Sequence, residues 1–93
     1  MSRLVTVYTK PDGCNQCTYT KRALTKAGIP YQEIVVNPSD RVSIDELKMI
    51  AKKKGIAGTM PYVLVVDTET LESHDWFGFQ PGEIEKLTKG NAA

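Results

Sequence analysis

Two cysteines three positions apart, Cys14 and Cys17, lie between a strand-like segment and a helix-like segment of the sequence. Two thiols with this spacing at the start of a helix can reach each other and close a small disulfide. The unpaired N–H groups and the positive dipole end of the helix also favour the thiolate form of the first thiol. The spacing therefore predicts the transfer of two electrons by thiol–disulfide exchange.

The two thiols are expected to have different roles. Cys14 precedes the helix, and cysteines in this position have pKa values lowered to roughly 3.5–7.5 from about 8.5. Lys10 is either a second source of positive charge for this thiolate or a solvated loop lysine. Cys17, one turn into the helix, should point toward the core and attack the mixed disulfide that Cys14 forms with a substrate. Asn15 and Gln16 fill the positions between the thiols and are candidate contacts for a partner.

The length and composition indicate one globular domain covering residues 1–93, with a flexible tail at 90–93. Apolar residues make up 41% of the chain and charged residues 25%, which is ordinary for a globular protein. The net charge of +1 gives no general attraction to nucleic acid or to an anionic membrane, so neither is expected as a partner. No apolar run is long enough to span a bilayer, and the N-terminus lacks the apolar stretch of a signal peptide. We therefore expect a cytoplasmic protein.

Other uses of a cysteine pair fit this sequence less well. A structural disulfide needs an oxidising compartment, which nothing in the sequence indicates. A zinc site needs four ligands, and His74 is the one histidine that could join the two cysteines. We therefore expect no metal, and we expect His74 to be a surface residue of a strand.

The hydrophobic pattern predicts the element order βαβαββα. The predicted strands are 4–8, 31–36, 62–66 and 72–76, and the predicted helices are 15–27, 43–54 and 81–89. The helix between the first two strands makes a βαβ unit, which predicts that these strands are parallel and adjacent. The last two strands should form an antiparallel hairpin. Ser43 and Glu46 have the spacing of a capping box at the start of the second helix.

Pro61 stands immediately before the most strand-like segment of the chain. A proline lacks the N–H that a strand interior donates, and it is tolerated at the first residue of a strand. From its position alone, Pro61 is a proline at the start of a strand.

Three segments together resemble the NrdH-type redoxins, which are glutaredoxin-like proteins of the thioredoxin fold. They are Lys10-Pro11 ahead of the cysteine pair, Met60-Pro61 ahead of a strand, and Trp76-Phe77-Gly78-Phe79-Gln80-Pro81. The similarity runs from Leu4 to Leu87. A CxxC motif is shared with thioredoxins, glutaredoxins and disulfide isomerases, whereas the Trp-x-Gly-Phe-x-Pro segment at this place distinguishes the NrdH type.

The resemblance implies an α/β fold, namely a thioredoxin-like, four-stranded mixed sheet flanked by three helices. It also implies that Pro61 is a cis-proline facing the cysteine pair and that the backbone of Met60 can pair with an incoming chain as an extra strand. The segment that starts at Trp76 would form a loop beside the active site, where Trp76, Gly78 and Phe79 contact partners. Trp76 and Phe79 have an alternative role as large residues that cover the core under the last helix.

NrdH-type redoxins reduce the disulfide of class Ib ribonucleotide reductase and are themselves reduced by thioredoxin reductase, an NADPH-dependent flavoenzyme. The resemblance therefore implies a thiol–disulfide oxidoreductase with these two enzymes as partners. It implies no bound cofactor besides the redox-active Cys14–Cys17 disulfide, and we expect a monomer.

The sequence departs from the NrdH pattern at three positions. The family usually has Ser where Phe77 stands, Arg where Gln80 stands, and Val or Met where Asn15 stands. The Arg–Ser pair that braces the loop in the family is therefore missing. Glutathione-using glutaredoxins carry a Gly-Gly-x-Asp type segment here, whose backbone and carboxylate hold the tripeptide. Because Phe79 and Gln80 replace those elements, we do not expect efficient glutathione binding.

Two alternative functions stay open from the sequence. One is a glutathione-dependent glutaredoxin. The other is an iron–sulfur cluster carrier, in which two chains share a cluster through Cys14. The carrier role usually favours a single active cysteine and a bound glutathione.

Overall fold

The computed structural model describes residues 3–11 and 14–92, the last five of them by their backbone alone. It contains β1 (Arg3–Thr9), α1 (Asn15–Lys26), β2 (Gln32–Val35), α2 (Arg41–Lys54), β3 (Tyr62–Asp67), β4 (Ser73–Phe77) and α3 (Pro81–Ala92). The predicted order βαβαββα is confirmed. Ala93, the last residue of the expected flexible tail, lies outside the described residues.

The four strands form one mixed sheet in the order β2-β1-β3-β4. β1 and β2 are parallel, because α1 carries the chain back across the sheet between them. β3 runs antiparallel to both β1 and β4. Val7 of β1 lies opposite Val63 of β3, and both are fully buried at the centre of the sheet. This architecture confirms the predicted thioredoxin-like sheet with three helices.

Helices cover both faces of the sheet, because alternate strand residues point to opposite faces. α1 and α3 pack on one face, where Leu24 and Ile84 belong to the larger core cluster. α2 packs on the other face, where Ala51 meets Tyr62 and Phe77. The start of α1 follows shortly after the end of β1, so the buried central strand determines where the cysteine pair lies.

The second helix begins earlier than the capping box predicts. α2 starts at Arg41, and the carboxylate of Asp40 accepts a hydrogen bond from the N–H of Ser43 at 3.2 Å. Asp40 is therefore the N-cap, and the predicted start at Ser43 is wrong. A carboxylate here also interacts favourably with the positive end of the helix dipole, which a neutral serine cannot do. The helix ends at Gly55 as expected, with the glycine in a left-handed conformation at a φ of 70°.

The other element boundaries differ from the prediction by small amounts. β2 ends at Val35, and β4 extends through Phe77. α3 starts at Pro81 as predicted and continues to Ala92, whereas the sequence predicts an end before Gly90. A glycine inside a helix costs only about 1 kcal/mol, and no proline follows to stop the helix. No helix in the described part of the chain is both long and apolar enough to cross a membrane.

Candidate active site

The two cysteines form a disulfide at the start of α1. Their Cα atoms are 5.2 Å apart. Cys14 is the N-cap of the helix, with extended backbone angles (φ −110°, ψ 91°), and its sulfur accepts a hydrogen bond from the backbone N–H of Cys17 at 3.2 Å. The predicted disulfide is therefore present, and its first sulfur lies at the helix start.

The two sulfurs differ in their access to solvent. Cys14 is partly exposed, whereas Cys17 is only 3% exposed. Cys17 lies on the buried face of α1, together with Thr20 and Leu24. A substrate can therefore reach the sulfur of Cys14 more easily than that of Cys17. This arrangement supports an attacking role for Cys14 and a resolving role for Cys17.

The start of α1 favours a thiolate on Cys14 once the disulfide is reduced. The N–H of Cys17 already points at this sulfur, and the first turn of the helix contains no acidic side chain. No carboxylate in that turn therefore opposes the positive potential of the helix start. We expect the pKa of the reduced Cys14 thiol to lie below its ordinary value.

The peptide bond between Met60 and Pro61 is cis, as the resemblance implies. Pro61 is fully buried, and its carbonyl oxygen accepts a hydrogen bond from the N–H of Gly78 at 2.8 Å. Met60 is partly exposed, and none of the residues in the described ranges forms a hydrogen bond with its backbone. An extended substrate chain could therefore pair with the N–H and C=O groups of Met60 as an added strand.

The loop between β4 and α3 lies against the first turn of α1. The side-chain oxygen Oε1 of Gln16 accepts a hydrogen bond from the backbone N–H of Phe79 at 2.9 Å. Gly78 has a φ of 81°, and a Cβ on this residue would lie 3.1 Å from the same oxygen. The lack of a side chain at Gly78 thus permits the close approach of this loop. The structure brings Gln16, Gly78 and Phe79 to the helix turn that carries the cysteines.

The β4–α3 loop also has an internal brace. Nε2 of Gln80 donates a hydrogen bond to the backbone carbonyl of Phe77 at 2.9 Å. The arginine and serine that join these two positions in the NrdH pattern are both absent from this sequence. A bond from side chain to backbone nevertheless joins the same two positions. This bond does not depend on the type of side chain at position 77.

Trp76 and Phe79 occupy different environments. Trp76 is 3% exposed and belongs to the core cluster on the α1 and α3 face of the sheet. Its alternative role as a core residue is confirmed, and the prediction that its side chain contacts a partner is wrong for this structure. The reason is its place on β4, where it points inward between the sheet and the helices. Phe79 is half-buried, and its ring lies 5.8 Å from the ring of Tyr19 on α1.

Tyr19 is a site neighbour that the sequence prediction missed. Its side chain is 49% exposed. Together with Phe79 it forms an aromatic pair at the surface, next to the turn that carries the cysteines. One sequence feature could have identified Tyr19, namely that it is a large aromatic residue among the polar positions of an amphipathic helix.

Lys10 lies at an apolar groove. The groove has a volume of about 330 Å³, and its lining includes Lys10, Pro11, Ile44, Leu47, Lys48 and Met60. Lys10 and Asn15 are both exposed, and neither side chain is hydrogen-bonded within the described part of the chain. Their roles at the site stay predictions.

A polar cluster stabilises the strand that follows Pro61. The hydroxyl of Tyr62 donates to Asp75 at 2.6 Å, and Lys54 forms an ion pair with the same carboxylate at 2.7 Å. Burial alone would raise the pKa of Asp75, but the hydrogen bonds from Lys54 and Tyr62 outweigh it and hold this pKa below its ordinary value. Burial and the bond to Asp75 raise the pKa of Tyr62. The cluster connects α2, β3 and β4.

His74 is an exposed residue of β4, as predicted, and it pairs with Glu83 of α3. The hydrogen bond from His74 holds the pKa of Glu83 below its ordinary value. Among residues 3–11 and 14–92, no group of three or more His, Cys, Asp or Glu side chains could hold a metal ion.

The sequence profile of the glutaredoxin family matches residues 5–68, which is more than half of the chain. This chain belongs to the glutaredoxin family. None of the curated protein sequences matches it. With its CxxC disulfide, this glutaredoxin-family protein is a thiol–disulfide oxidoreductase.

Solved structures with the same fold include two glutaredoxins and a thioredoxin. Glutaredoxin 1 from Francisella tularensis, complexed with cacodylate, has a TM-score of 0.63 and 21% identity, over 97% of this chain and 99% of that one. The glutaredoxin from Archaeoglobus fulgidus has a TM-score of 0.56 and 17% identity, over 89% of this chain and 83% of that one. The thioredoxin pre-protein of Schistosoma mansoni has a TM-score of 0.54 and 17% identity, over 95% of this chain and 77% of that one. At these identities the structures show the shared fold alone.

With this arrangement the two cysteines can reduce a substrate disulfide in two thiol–disulfide exchange steps. The Cys14 thiolate attacks one sulfur of the substrate disulfide, and the other substrate sulfur leaves as a thiolate that takes up a proton. The thiol of Cys17 then attacks the sulfur of Cys14 and gives up its proton, which releases the second substrate thiol. Two electrons have then passed to the substrate. The Cys14–Cys17 disulfide of the structure is the oxidised product.

Proposed function

We propose that this chain is an NrdH-type redoxin of the cytoplasm. In this role thioredoxin reductase uses NADPH to reduce the Cys14–Cys17 disulfide, and the dithiol then reduces the disulfide of class Ib ribonucleotide reductase. The protein acts as a monomer, and neither nucleic acid nor a membrane takes part. The resemblance of the segments around the cysteine pair and the structure of the β4–α3 loop support this proposal.

The contacts of the β4–α3 loop give the strongest support for an NrdH-type role. In glutathione-using glutaredoxins this segment supplies a backbone and a carboxylate that hold the tripeptide. Here the N–H of Phe79 already donates to Gln16, and the neutral side chain of Gln80 donates to Phe77. Glutathione would therefore find neither a free N–H at Phe79 nor a carboxylate at position 80. These contacts favour electron supply by a flavoprotein reductase.

Two features of the site favour a protein disulfide as the substrate. The backbone of Met60 can accept an extended chain as an added strand. The exposed aromatic pair of Tyr19 and Phe79 offers apolar contact area on the α1 side. Aromatic side chains of this kind are enriched in protein interfaces. A small disulfide would not use these surfaces.

An assay that compares two electron sources tests the proposal. One arm of the assay contains NADPH and a bacterial thioredoxin reductase, and the other contains NADPH, glutathione and glutathione reductase. Class Ib ribonucleotide reductase supplies the disulfide in both arms. We expect NADPH oxidation to be at least about tenfold faster in the first arm, a difference of about 1.4 kcal/mol in barrier height.

The Cys14→Ser protein provides the background rate for each arm, because it retains the surface but lacks the attacking thiol. A higher rate with glutathione than with thioredoxin reductase would contradict the proposal. That result would identify the chain as a glutathione-dependent glutaredoxin, which family membership alone also allows.

A further inference from the structure

Gln16 joins two segments of the site that are far apart in the sequence. It lies between the two cysteines, in the first turn of α1, and its Oε1 accepts the hydrogen bond from Phe79 at 2.9 Å. Gly78 is packed so closely on this oxygen that a Cβ there would lie only 3.1 Å away. The N–H of Gly78 in turn donates to the carbonyl of Pro61 at 2.8 Å. One side chain therefore connects the cysteine turn to the loop and, through the loop, to the cis-proline.

The hydrogen bond from Phe79 also determines the orientation of the Gln16 amide group. A side-chain amide has an oxygen that accepts and an NH₂ group that donates. Because a backbone N–H can only donate, the oxygen must face Phe79, and the NH₂ group must point away from it. Gln16 is exposed, and within the described ranges its Nε2 has no hydrogen-bond partner. The amide therefore presents two donors in a fixed direction beside the disulfide.

We propose that Gln16 is a positioning and specificity residue, whose oxygen holds the Gly78–Phe79 loop against the redox helix and whose NH₂ group donates to a carbonyl oxygen of the polypeptide docked at Cys14. This inference deepens the proposed function. It requires a protein disulfide as substrate, but it requires neither thioredoxin reductase nor ribonucleotide reductase.

Two variants separate the two functions of this amide. Gln16→Leu removes both the acceptor and the donors, while its side chain has a similar size. Gln16→Glu keeps an oxygen that can accept from Phe79, but it removes the donors and adds a negative charge. Asn15→Asp adds the same charge one residue earlier, where no bond to Phe79 exists. Asn15→Leu removes the Asn15 amide without adding charge, so the ratio of these two variants measures the effect of the charge.

The first measurement follows the loop. The amide hydrogen of Phe79 should exchange with solvent slowly in the wild type and in Gln16→Glu, since both have an oxygen to accept it. In Gln16→Leu this hydrogen should exchange several-fold faster. Equal exchange at Phe79 in Gln16→Leu and the wild type would overturn the positioning role.

The second measurement follows substrate choice without any reductase. Each protein is reduced in advance, freed of reductant, and mixed with either insulin, as a protein disulfide, or hydroxyethyl disulfide, which has no peptide carbonyl to accept a hydrogen bond from Gln16. Formation of the Cys14–Cys17 disulfide is followed by acid quench and mass spectrometry. We expect the rate constant with insulin to fall about two- to tenfold in Gln16→Leu, as for the loss of one neutral hydrogen bond, with the small disulfide unaffected.

Gln16→Glu should show the same selective loss after division by the charge effect, which is the rate constant of Asn15→Asp relative to that of Asn15→Leu. An equal loss with both disulfides, or no loss with insulin, would overturn the specificity role. Because no electron donor enters this experiment, these results are independent of the outcome with thioredoxin reductase.

Discussion

Serine at position 14 is expected to abolish disulfide reduction by this protein. Its hydroxyl cannot form a disulfide with the substrate and is not ionised near neutral pH, so the first exchange fails. The fold should survive, because serine is a preferred N-cap and its oxygen can accept the bond that the N–H of Cys17 now donates to sulfur. We expect turnover at the uncatalysed background and a melting temperature close to that of the reduced wild type.

The variant is compared with the reduced wild type in a disulfide-reduction assay and in a thermal melt. Thr25→Ser is a suitable control, because Thr25 is exposed on the same helix and the change removes one methyl group. Turnover of Cys14→Ser above background, with the fold intact, would exclude Cys14 as the nucleophile.

The Cys17→Ser variant is expected to accumulate a covalent complex with its substrate. Cys14 can still attack, but the turn below it no longer holds a thiol that resolves the mixed disulfide. Serine is close to cysteine in size, so the buried position at 3% exposure should remain filled. After mixing with excess protein disulfide, most of the variant should migrate as a larger species on a non-reducing gel. Dithiothreitol should release it.

Free thiols are left out of this experiment, because glutathione can take the place of the resolving cysteine. Turnover that returns only when glutathione is added would favour the glutathione-dependent alternative. Full multiple turnover of Cys17→Ser with thioredoxin reductase alone would show that the two-thiol mechanism is wrong.

The cysteine pair and the elements that position it could be predicted because their signals are local. The apolar run of β1, the turn and the helical period of α1 are adjacent in the sequence, so the place of Cys14 at a helix start follows directly. The parallel pairing of β1 and β2 follows from the length of the crossover between them. The cis bond before Pro61 is predicted by the resemblance alone. The position of Pro61 indicates only a proline that is tolerated at the first residue of a strand.

The start of α2 could not be predicted from the sequence, because two residues that are three positions apart can each act as the N-cap. Asp40 and Ser43 can each accept a hydrogen bond from a first-turn N–H. The capping-box spacing with Glu46 favoured the serine, whereas in the structure the carboxylate of Asp40 caps the helix. The choice depends on the direction in which the preceding loop enters the helix.

The resemblance implies a loop beside the active site, but no sequence signal shows which atoms of that loop meet the first turn of α1. Gln16 meets Phe79, and Gln80 meets the carbonyl of Phe77, because the β4–α3 loop folds back onto the first turn of α1. The inward orientation of Trp76 depends on the register of β4, where a shift of one residue exchanges the two faces. Tertiary packing decides both features.

The proposed exchange reaction depends on an acidic Cys14 thiol, and the pKa of this thiol can be measured. The rate of alkylation by iodoacetamide is followed against pH in the Cys17→Ser variant, which has a single thiol. Unfolding the same variant in urea gives the reference curve, whose midpoint should lie near the ordinary thiol pKa of about 8.5. The midpoint is the relevant quantity, because the intrinsic nucleophilicity of a thiolate falls as its pKa falls.

For the folded protein we predict a midpoint below about pH 7.5, in the range of cysteines at helix starts. A folded-state midpoint that coincides with the unfolded reference would contradict the claim that the start of α1 activates Cys14.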